Sequence, residues 1–219
     1  VYPRIANFDD LDPLRVDPGV DLVFVGPHQP VPGDTALVIL PGSKATVRTL
    51  LPEEVSQLGF DIVLGNTFHL YLEPGAELIE SFGGLHSFMG WPGPIVTDSG
   101  GFQVFSMGDG TVADEIKGRA PYGSERLGRV LSIEEQGVTF RSYIDGSRKF
   151  LGPESSMSVQ AALGSDLALV FDECTPFNVD REYTARSTER THRWLQRCLR
   201  WHADHGPEHQ LVYGIVQGG

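Results

Sequence analysis

The chain has 219 residues, of which 40% are hydrophobic and 21% are charged. These values are ordinary for a soluble globular protein and leave room for one large domain or two small ones. The formal net charge is −12 at pH 7. This sign is opposite to that of most nucleic-acid-binding proteins, so composition alone disfavours a nucleic-acid partner.

No apolar run approaches the roughly 20 residues that cross a bilayer, and the N-terminus carries no signal-peptide pattern. The two cysteines, Cys174 and Cys198, form neither a disulfide framework nor a metal-binding quartet. The sequence therefore predicts a cytoplasmic protein without a membrane partner.

The first part of the chain differs from the rest in composition and in its pattern of predicted secondary structure. Residues 1–46 are rich in Pro and Asp and contain two short β-like runs, at 22–25 and 36–40. From residue 47 onwards, helical and strand patterns alternate. Helices are predicted at 52–58, 74–82, 153–163 and 181–205, and strands at 61–64, 95–97, 167–171 and 212–216.

Two further stretches interrupt this alternation. Residues 138–143 and 148–151 alternate as the strands of a hairpin around Asp145 and Gly146. The polar, glycine-bearing stretch 108–135 is predicted to be a loop or insertion on one face. Because the other strands and helices follow one another over short connections, the sequence predicts a parallel sheet in an α/β fold.

Polar side chains follow four of the predicted strands: Asn66, Asp98, Asp172 with Glu173, and Gln217. The carboxyl ends of parallel strands gather on one rim, which is where the active sites of (β/α) barrels lie. One such cluster could be a plain turn, since Asp-Ser-Gly-Gly is a good turn sequence. Four clusters in the same relation to a strand favour a site.

The stretch 97–103, with the sequence Thr-Asp-Ser-Gly-Gly-Phe-Gln, is the most informative of these clusters. An apolar strand ends on Asp98, and Gly100 and Gly101 follow after Ser99. A strand end of this kind fixes a carboxylate. Glycines without side chains would let a flat ligand approach the backbone.

Four segments, at 64–70, 97–105, 171–176 and 214–218, resemble the queuine/guanine tRNA-ribosyltransferases, also called tRNA-guanine transglycosylases. The resemblance covers about residues 44–219 and implies a (β/α)8 TIM-barrel fold. It also implies a reaction in queuosine biosynthesis, in which guanine at the tRNA anticodon wobble position is exchanged for a 7-deazaguanine base (preQ1 or queuine). In that reaction a carboxylate attacks the ribose anomeric carbon, guanine leaves, and the incoming base displaces the enzyme.

The same resemblance implies roles for individual residues. Asp98 matches the general acid/base, and Asp172 matches the acceptor for the N–H edge of the base. Phe102 matches an aromatic wall for stacking, and Gln217 matches a contact to the base carbonyl. The remaining matches to the base pocket are Ser99, Gly100, Gly101, Cys174 and Gly218, and matches to residues that support the nucleophile are Asn66 and Gln103.

The chemistry of a guanine-like base is consistent with this set, because such a base needs acceptors for its donor edge beside donors for its carbonyl. Two other interpretations stay open. Asp172 could form an ion pair with an arginine such as Arg181 or Arg186. Alternatively, Asp98 and either Asp172 or Glu173 could be the carboxylate pair of a retaining glycosidase, which requires a separation of roughly 5 Å.

Two parts of the family pattern find no match in these 219 residues. The nucleophilic aspartate and the zinc site, made of three cysteines and a histidine, are both expected for the full-length family. The predicted fold is therefore the N-terminal part of a (β/α)8 barrel, and the chain alone is expected to be inactive. A non-catalytic or inactive member of the family is the alternative. The implied partners are tRNA, the exchanged bases and, for the full-length form, a second copy in a homodimer.

Residues 1–46 instead resemble an internal segment of cobyric acid synthase, which predicts a domain boundary between residues 46 and 47. Residues 47–219 would then be a truncated transglycosylase barrel. Basic residues that could contact tRNA fall in two groups. One group lies in the stretch 108–135: Lys117, Arg119, Arg126 and Arg129. The other is interleaved with acids on the long helix and is predicted to be a solvated face: Arg186, Arg190, Arg193, Arg197 and Arg200.

Overall fold

The computed structural model describes residues 50–106, 130–175 and 179–216, together with the backbone of residues 23–25 and 37–42. Its strands are β1 (Val23–Val25), β2 (Leu37–Gly42), β3 (Ile62–Gly65), β4 (Ile95–Thr97), β5 (Val130–Glu134), β6 (Gly137–Arg141), β7 (Arg148–Leu151), β8 (Leu167–Leu169) and β9 (Leu211–Tyr213). Its helices are α1 (Pro52–Gln57), α2 (Thr67–Leu72), α3 (Ala76–Ser81), α4 (Leu85–Met89), α5 (Gly101–Ser106), α6 (Pro153–Leu163) and α7 (Arg181–His205).

Six strands form one sheet in the order β1-β2-β3-β4-β8-β9. All its neighbouring pairs are parallel except β1 with β2. The predicted α/β fold with a parallel sheet is therefore confirmed. Because β3, β4, β8 and β9 are parallel neighbours, their carboxyl ends lie at one edge of the sheet. That this sheet begins a (β/α)8 barrel stays a prediction.

Strand β2 belongs to the segment 1–46, yet it is paired in register with β3, with Gly42 opposite Gly65. The remaining strands, β5, β6 and β7, form a separate antiparallel sheet of three strands. Its last two strands are the predicted hairpin.

Two apolar clusters fill the space between the sheets and the helices. The first lies against β3 and β4 and consists of Val55, Val63, Leu70, Ile79, Leu85, Trp91, Ile95, Val159 and Leu163. The second joins the three-stranded sheet to β8, α6 and α7 and consists of Phe68, Val104, Val138, Phe140, Leu151, Met157, Ala168, Val170, Phe171, Trp194 and Cys198. Burying these side chains is the main favourable term in holding the helices on the sheets.

Helix α7 shows how the sequence produces this packing. Its N-cap is Asp180, whose side chain accepts a hydrogen bond from the Tyr183 backbone N–H at 2.7 Å. Its buried residues follow a spacing of four, three and four along one stripe, as an amphipathic helix requires: Ser187, Thr191, Trp194 and Cys198. Among the described residues, no helix combines the length and hydropathy needed to cross a bilayer.

The bounds of β4, α6 and α7 are those that the sequence predicts. The loop prediction for 108–135 is wrong at its end, because residues 130–134 form β5 and pair with β6. Residues 107–129, with the basic candidates they contain, lie outside the described residues. Helices α2, α4 and α5 were not predicted. Two of these, α2 and α5, begin close behind the strands β3 and β4 and so shape the edge of the sheet.

Candidate active site

Asp98 follows β4 and is held from the neighbouring strand end. Its Oδ1 accepts a hydrogen bond from the Thr67 backbone N–H at 2.7 Å, and its Oδ2 accepts one from Asn66 Nδ2 at 3.0 Å. Asn66 is the N-cap of α2, since its Oδ1 accepts from the His69 N–H at 3.1 Å. The two contacts of Asn66 fix which end of its amide faces the carboxylate.

Burial raises the pKa of Asp98 from its ordinary value of 3.8 to about 6. Hydrogen bonds from the Thr67 backbone, the Gln103 side chain and the Gly100 backbone lower the pKa, but the effect of burial is larger. Both protonation states are therefore accessible near neutral pH, as a group that takes up and releases a proton requires.

The raised pKa of Asp98 makes a prediction about stability. Between about pH 4 and pH 6 the folded chain holds this proton more tightly than the unfolded chain does. Asp98 therefore stabilises the fold most below its unfolded pKa, and this contribution is lost as pH rises through the folded pKa. We expect Asp98→Asn to make the unfolding free energy fall less steeply with pH in this window. Urea unfolding of the wild type and of Asp98→Asn at several pH values measures how the unfolding free energy depends on pH. An equal dependence in the two proteins would contradict the raised pKa of Asp98.

Ser99 connects the ends of β4 and β8. Its Oγ donates a hydrogen bond to Asp172 Oδ1 at 2.9 Å and accepts one from the Gly101 N–H at 3.1 Å. A Cβ at Gly101 would lie 2.6 Å from the Asp172 backbone oxygen and 2.8 Å from Asp172 Oδ1. Gly100 has φ +78°, a conformation that favours glycine. The absence of a side chain at Gly101 thus allows Asp172 to pack against the end of β4. That a ligand also approaches this backbone stays a prediction.

The other predicted pocket residues differ in exposure. Phe102, on the first turn of α5, is 50% exposed. Cys174 is partly buried, and burial together with the negative charge of Asp172 raises the pKa of its thiol to about 11. The thiol therefore stays protonated at neutral pH and is a poor nucleophile. Gln217 and Gly218 lie outside the described residues.

Glu173 faces away from this edge of the sheet, although it is adjacent to Asp172. Its carboxylate accepts a hydrogen bond from Tyr183 Oη at 2.9 Å and one from Arg190 Nη1 at 2.6 Å. It is 1% exposed. Since side chains of α7 bind both of its carboxylate oxygens, Glu173 is not available as the partner of Asp98. The hypothesis of a glycosidase pair formed by Asp98 and Glu173 is therefore wrong.

The arginines of α7 are largely paired with carboxylates. The pairs are Arg186–Glu182, Arg190–Glu173, Arg193–Glu135 and Arg197–Glu154. In the last three, the carboxylate belongs to another part of the fold. The face that the sequence predicts to be merely solvated therefore also anchors α7 to α6, to the β5–β6 turn and to the segment after β8. Arg186, one suggested partner of Asp172, pairs within its own helix.

In the part of the chain that the structure describes, no group of three or more His, Cys, Asp or Glu side chains could hold a metal ion. Cys174 and Cys198 are both free thiols. The zinc implied by the resemblance therefore has no ligand set among these residues.

The contact between the Thr67 backbone N–H and Asp98 was not predicted from the sequence. A signal for it exists, because Asn is a favoured N-cap residue and Asn66 directly follows an apolar strand. A helix predicted from Thr67 onwards would have placed unpaired N–H groups at this edge of the sheet.

Comparison with known proteins places these features in a family. Residues 24–219 match the family model described as queuine tRNA-ribosyltransferase. The matched range begins inside the segment 1–46, and the resemblance of that segment to cobyric acid synthase finds no support. The boundary between residues 46 and 47 stays a prediction.

Individual relatives agree with the family model. A queuine tRNA-ribosyltransferase of Pelotomaculum thermopropionicum is 49% identical over 193 residues, which are 88% of this chain and 45% of the relative. One of Roseiflexus sp. is 48% identical over 85% of this chain and 48% of the relative. One of Symbiobacterium thermophilum is 47% identical over 94% of this chain and 46% of the relative. The chain spans slightly less than half the length of these relatives, and it belongs to the queuine tRNA-ribosyltransferase family.

Proposed function

We propose that the protein containing this chain exchanges guanine in tRNA for a 7-deazaguanine base. The observation that carries the proposal is a hydrogen-bonded row across three adjacent strand ends. Asn66 after β3 holds Asp98 after β4, and Ser99 after β4 holds Asp172 after β8. Membership of the family supplies the reaction to which this row is assigned.

In this proposal Asp98 moves the protons of the exchange. In its acid form it donates a proton to a ring nitrogen of the departing guanine. The resulting carboxylate then accepts a proton from the corresponding nitrogen of the incoming base, which restores the acid. A pKa of about 6 favours both transfers near neutral pH. The resemblance also implies a carboxylate nucleophile for the ribose, a role that we assign to none of the described residues.

Asp172 recognises the base in the same proposal. An ionised carboxylate has room for several hydrogen bonds. Asp172 can therefore keep the bond from Ser99 and also accept bonds from the N–H and amino groups of guanine. Phe102, half exposed beside the glycines, offers an aromatic face on which the base can stack. Cys174 and, outside the described residues, Gln217 and Gly218 would complete the pocket.

Replacing Asp172 with Asn tests the recognition role. The variant would present an amide donor where the base also presents donors, so we expect guanine to bind about five- to 150-fold more weakly, corresponding to about 1–3 kcal/mol. Calorimetric titration with guanine measures the change. Asp204→Asn, at an exposed position on α7, is the matched control and is expected to leave affinity unchanged. An unaltered affinity in Asp172→Asn would contradict the role.

Incorporation of labelled guanine into tRNA tests the proposed activity itself. The protein encoded by the complete reading frame should incorporate label above background. Guanine binding without incorporation would favour the alternative of a non-catalytic member of the family. A protein that neither binds guanine nor incorporates it into tRNA would contradict the proposal. The homodimer and the inactivity of the isolated chain stay predictions, which sedimentation and the same assay can address.

A further inference from the structure

A buried polar chain on α6 connects the two strands whose ends carry Asp98 and Asp172. Its members are Ser156 and Gln160, whose side chains are fully buried. The two residues are four positions apart and so lie on the same face of the helix. Buried polar groups that are fully hydrogen-bonded fix one arrangement of the elements around them.

The side-chain amide of Gln160 uses all of its hydrogen-bonding capacity. Its Nε2 donates to the Leu169 backbone oxygen at 2.9 Å and to Ser156 Oγ at 3.1 Å. Its Oε1 accepts from the Leu169 N–H at 3.1 Å and from Thr97 Oγ1 at 2.8 Å. Two donors and two acceptors are thus satisfied, which fixes the orientation of the amide. One side chain of α6 therefore holds the last residue of β4 and the last residue of β8.

Ser156 extends this chain of hydrogen bonds to the candidate site. While accepting from Gln160, its Oγ donates to the backbone oxygen of Ser99 at 2.7 Å. The side chain of the same Ser99 donates to Asp172 Oδ1. Helix α6 therefore holds the Ser99 backbone, and Ser99 in turn holds the carboxylate proposed to recognise the base.

We infer that Ser156, oriented by Gln160, is a positioning residue for base recognition: it fixes Ser99 and thereby the carboxylate of Asp172 relative to Asp98. The inference rests on the proposed function. The Ser156 hydroxyl donates to the Ser99 backbone oxygen, so it acts on Asp172 through the Ser99 peptide. Without its hydroxyl, the buried Ser99 carbonyl loses its hydrogen-bond donor. The Ser99 side chain then no longer presents its proton to Asp172 from a fixed position.

A second branch of the same network provides a comparison within the molecule. Ser165 is also fully buried, and its Oγ lies 2.7 Å from Thr97 Oγ1 and 3.1 Å from Gln210 Nε2. Among the described residues, the Ser165 side chain bonds neither Ser156 nor Ser99, and it is linked to Ser99 through Thr97, Gln160 and Ser156 in succession. Ser165→Ala therefore removes a buried hydroxyl of the same kind while leaving the hydrogen bond from Ser156 to the Ser99 peptide in place.

The experiment is steady-state exchange of labelled guanine into tRNA, with the protein encoded by the complete reading frame. We expect Ser156→Ala to raise the KM for guanine about five- to tenfold, with kcat and the KM for tRNA changed by less than about twofold. Ser165→Ala should lower the Tm without raising the KM for guanine. Ser158→Ala, at an exposed position of the same helix, should change none of these quantities.

Each outcome separates the inference from the proposed function. An unchanged KM for guanine in Ser156→Ala, or an equal rise in Ser165→Ala, would overturn the inference and leave the proposed function standing. A wild-type protein that neither binds nor exchanges guanine would overturn both. If Ser156→Ala does not fold, Ser156→Cys replaces it, because a thiol is a similar but weaker donor. That variant should raise the KM less than the alanine variant would, and an unchanged KM would again overturn the inference.

Discussion

Asp98→Asn is expected to lower kcat for guanine exchange by about 10²- to 10⁴-fold, the usual contribution of a general acid/base. An amide at this position keeps an oxygen for the Thr67 N–H, which contacts Oδ1 in the wild type. It does not exchange a proton with a ring nitrogen of either base. The base should therefore still enter the site and stack, while its departure and replacement become slow.

Comparing kcat with guanine affinity tests this role of Asp98. Affinity should change far less than kcat, since a group that acts in the transition state affects turnover more than ground-state binding. Equal losses in both would identify Asp98 as a structural acid that holds α2. Asn66→Ala is the matched comparison, because it removes one hydrogen bond to Asp98 and keeps the carboxyl. It should reduce kcat much less than Asp98→Asn does.

The elements that could be predicted closely are those whose signals are local. Helix α6 begins with Pro153 and is followed by Gly164, which adopts φ +68° at its C-cap. Helix α7 begins after the N-cap Asp180. In contrast, β5 is stabilised by pairing with β6, and nothing in its own composition distinguishes it from the polar loop before it. A strand specified mainly by its partner is difficult to predict from a single sequence.

For the candidate site, the sequence correctly predicts that the residues lie at the carboxyl ends of the parallel strands, but it does not predict the contacts made there. Strand ends alone indicate that Asp98 and Asp172 approach each other. The bridging side chain of Ser99 joins positions 73 apart in the chain, and no local pattern specifies such a contact. By their position after a predicted strand, Asp172 and Glu173 are equivalent candidates, and only the family resemblance favours Asp172. The structure separates them by their partners: Asp172 accepts a hydrogen bond from Ser99, whereas Glu173 accepts from Tyr183 and Arg190 of α7.

The buried pair of Glu173 and Arg190 carries the largest expected effect on stability. Arg190→Met keeps much of the side-chain volume but leaves a carboxylate that is 1% exposed without its cation. Tyr183 would remain as a neutral donor. Breaking a buried ion pair from one side costs about 3–5 kcal/mol, so we expect the unfolding free energy to fall by about that amount in denaturant titrations.

Two comparisons separate this effect from a general loss of charge on α7. Arg186→Met breaks an exposed pair with Glu182 and should cost less than about 1 kcal/mol. Adding Glu173→Gln to Arg190→Met removes the stranded charge and should restore much of the lost stability. If the single Arg190 variant were as stable as the Arg186 variant, the pair would contribute little. The segment that carries Asp172 would then be held to α7 mainly by its other contacts, such as the hydrogen bond from the Glu173 N–H to Thr191 Oγ1 at 3.1 Å.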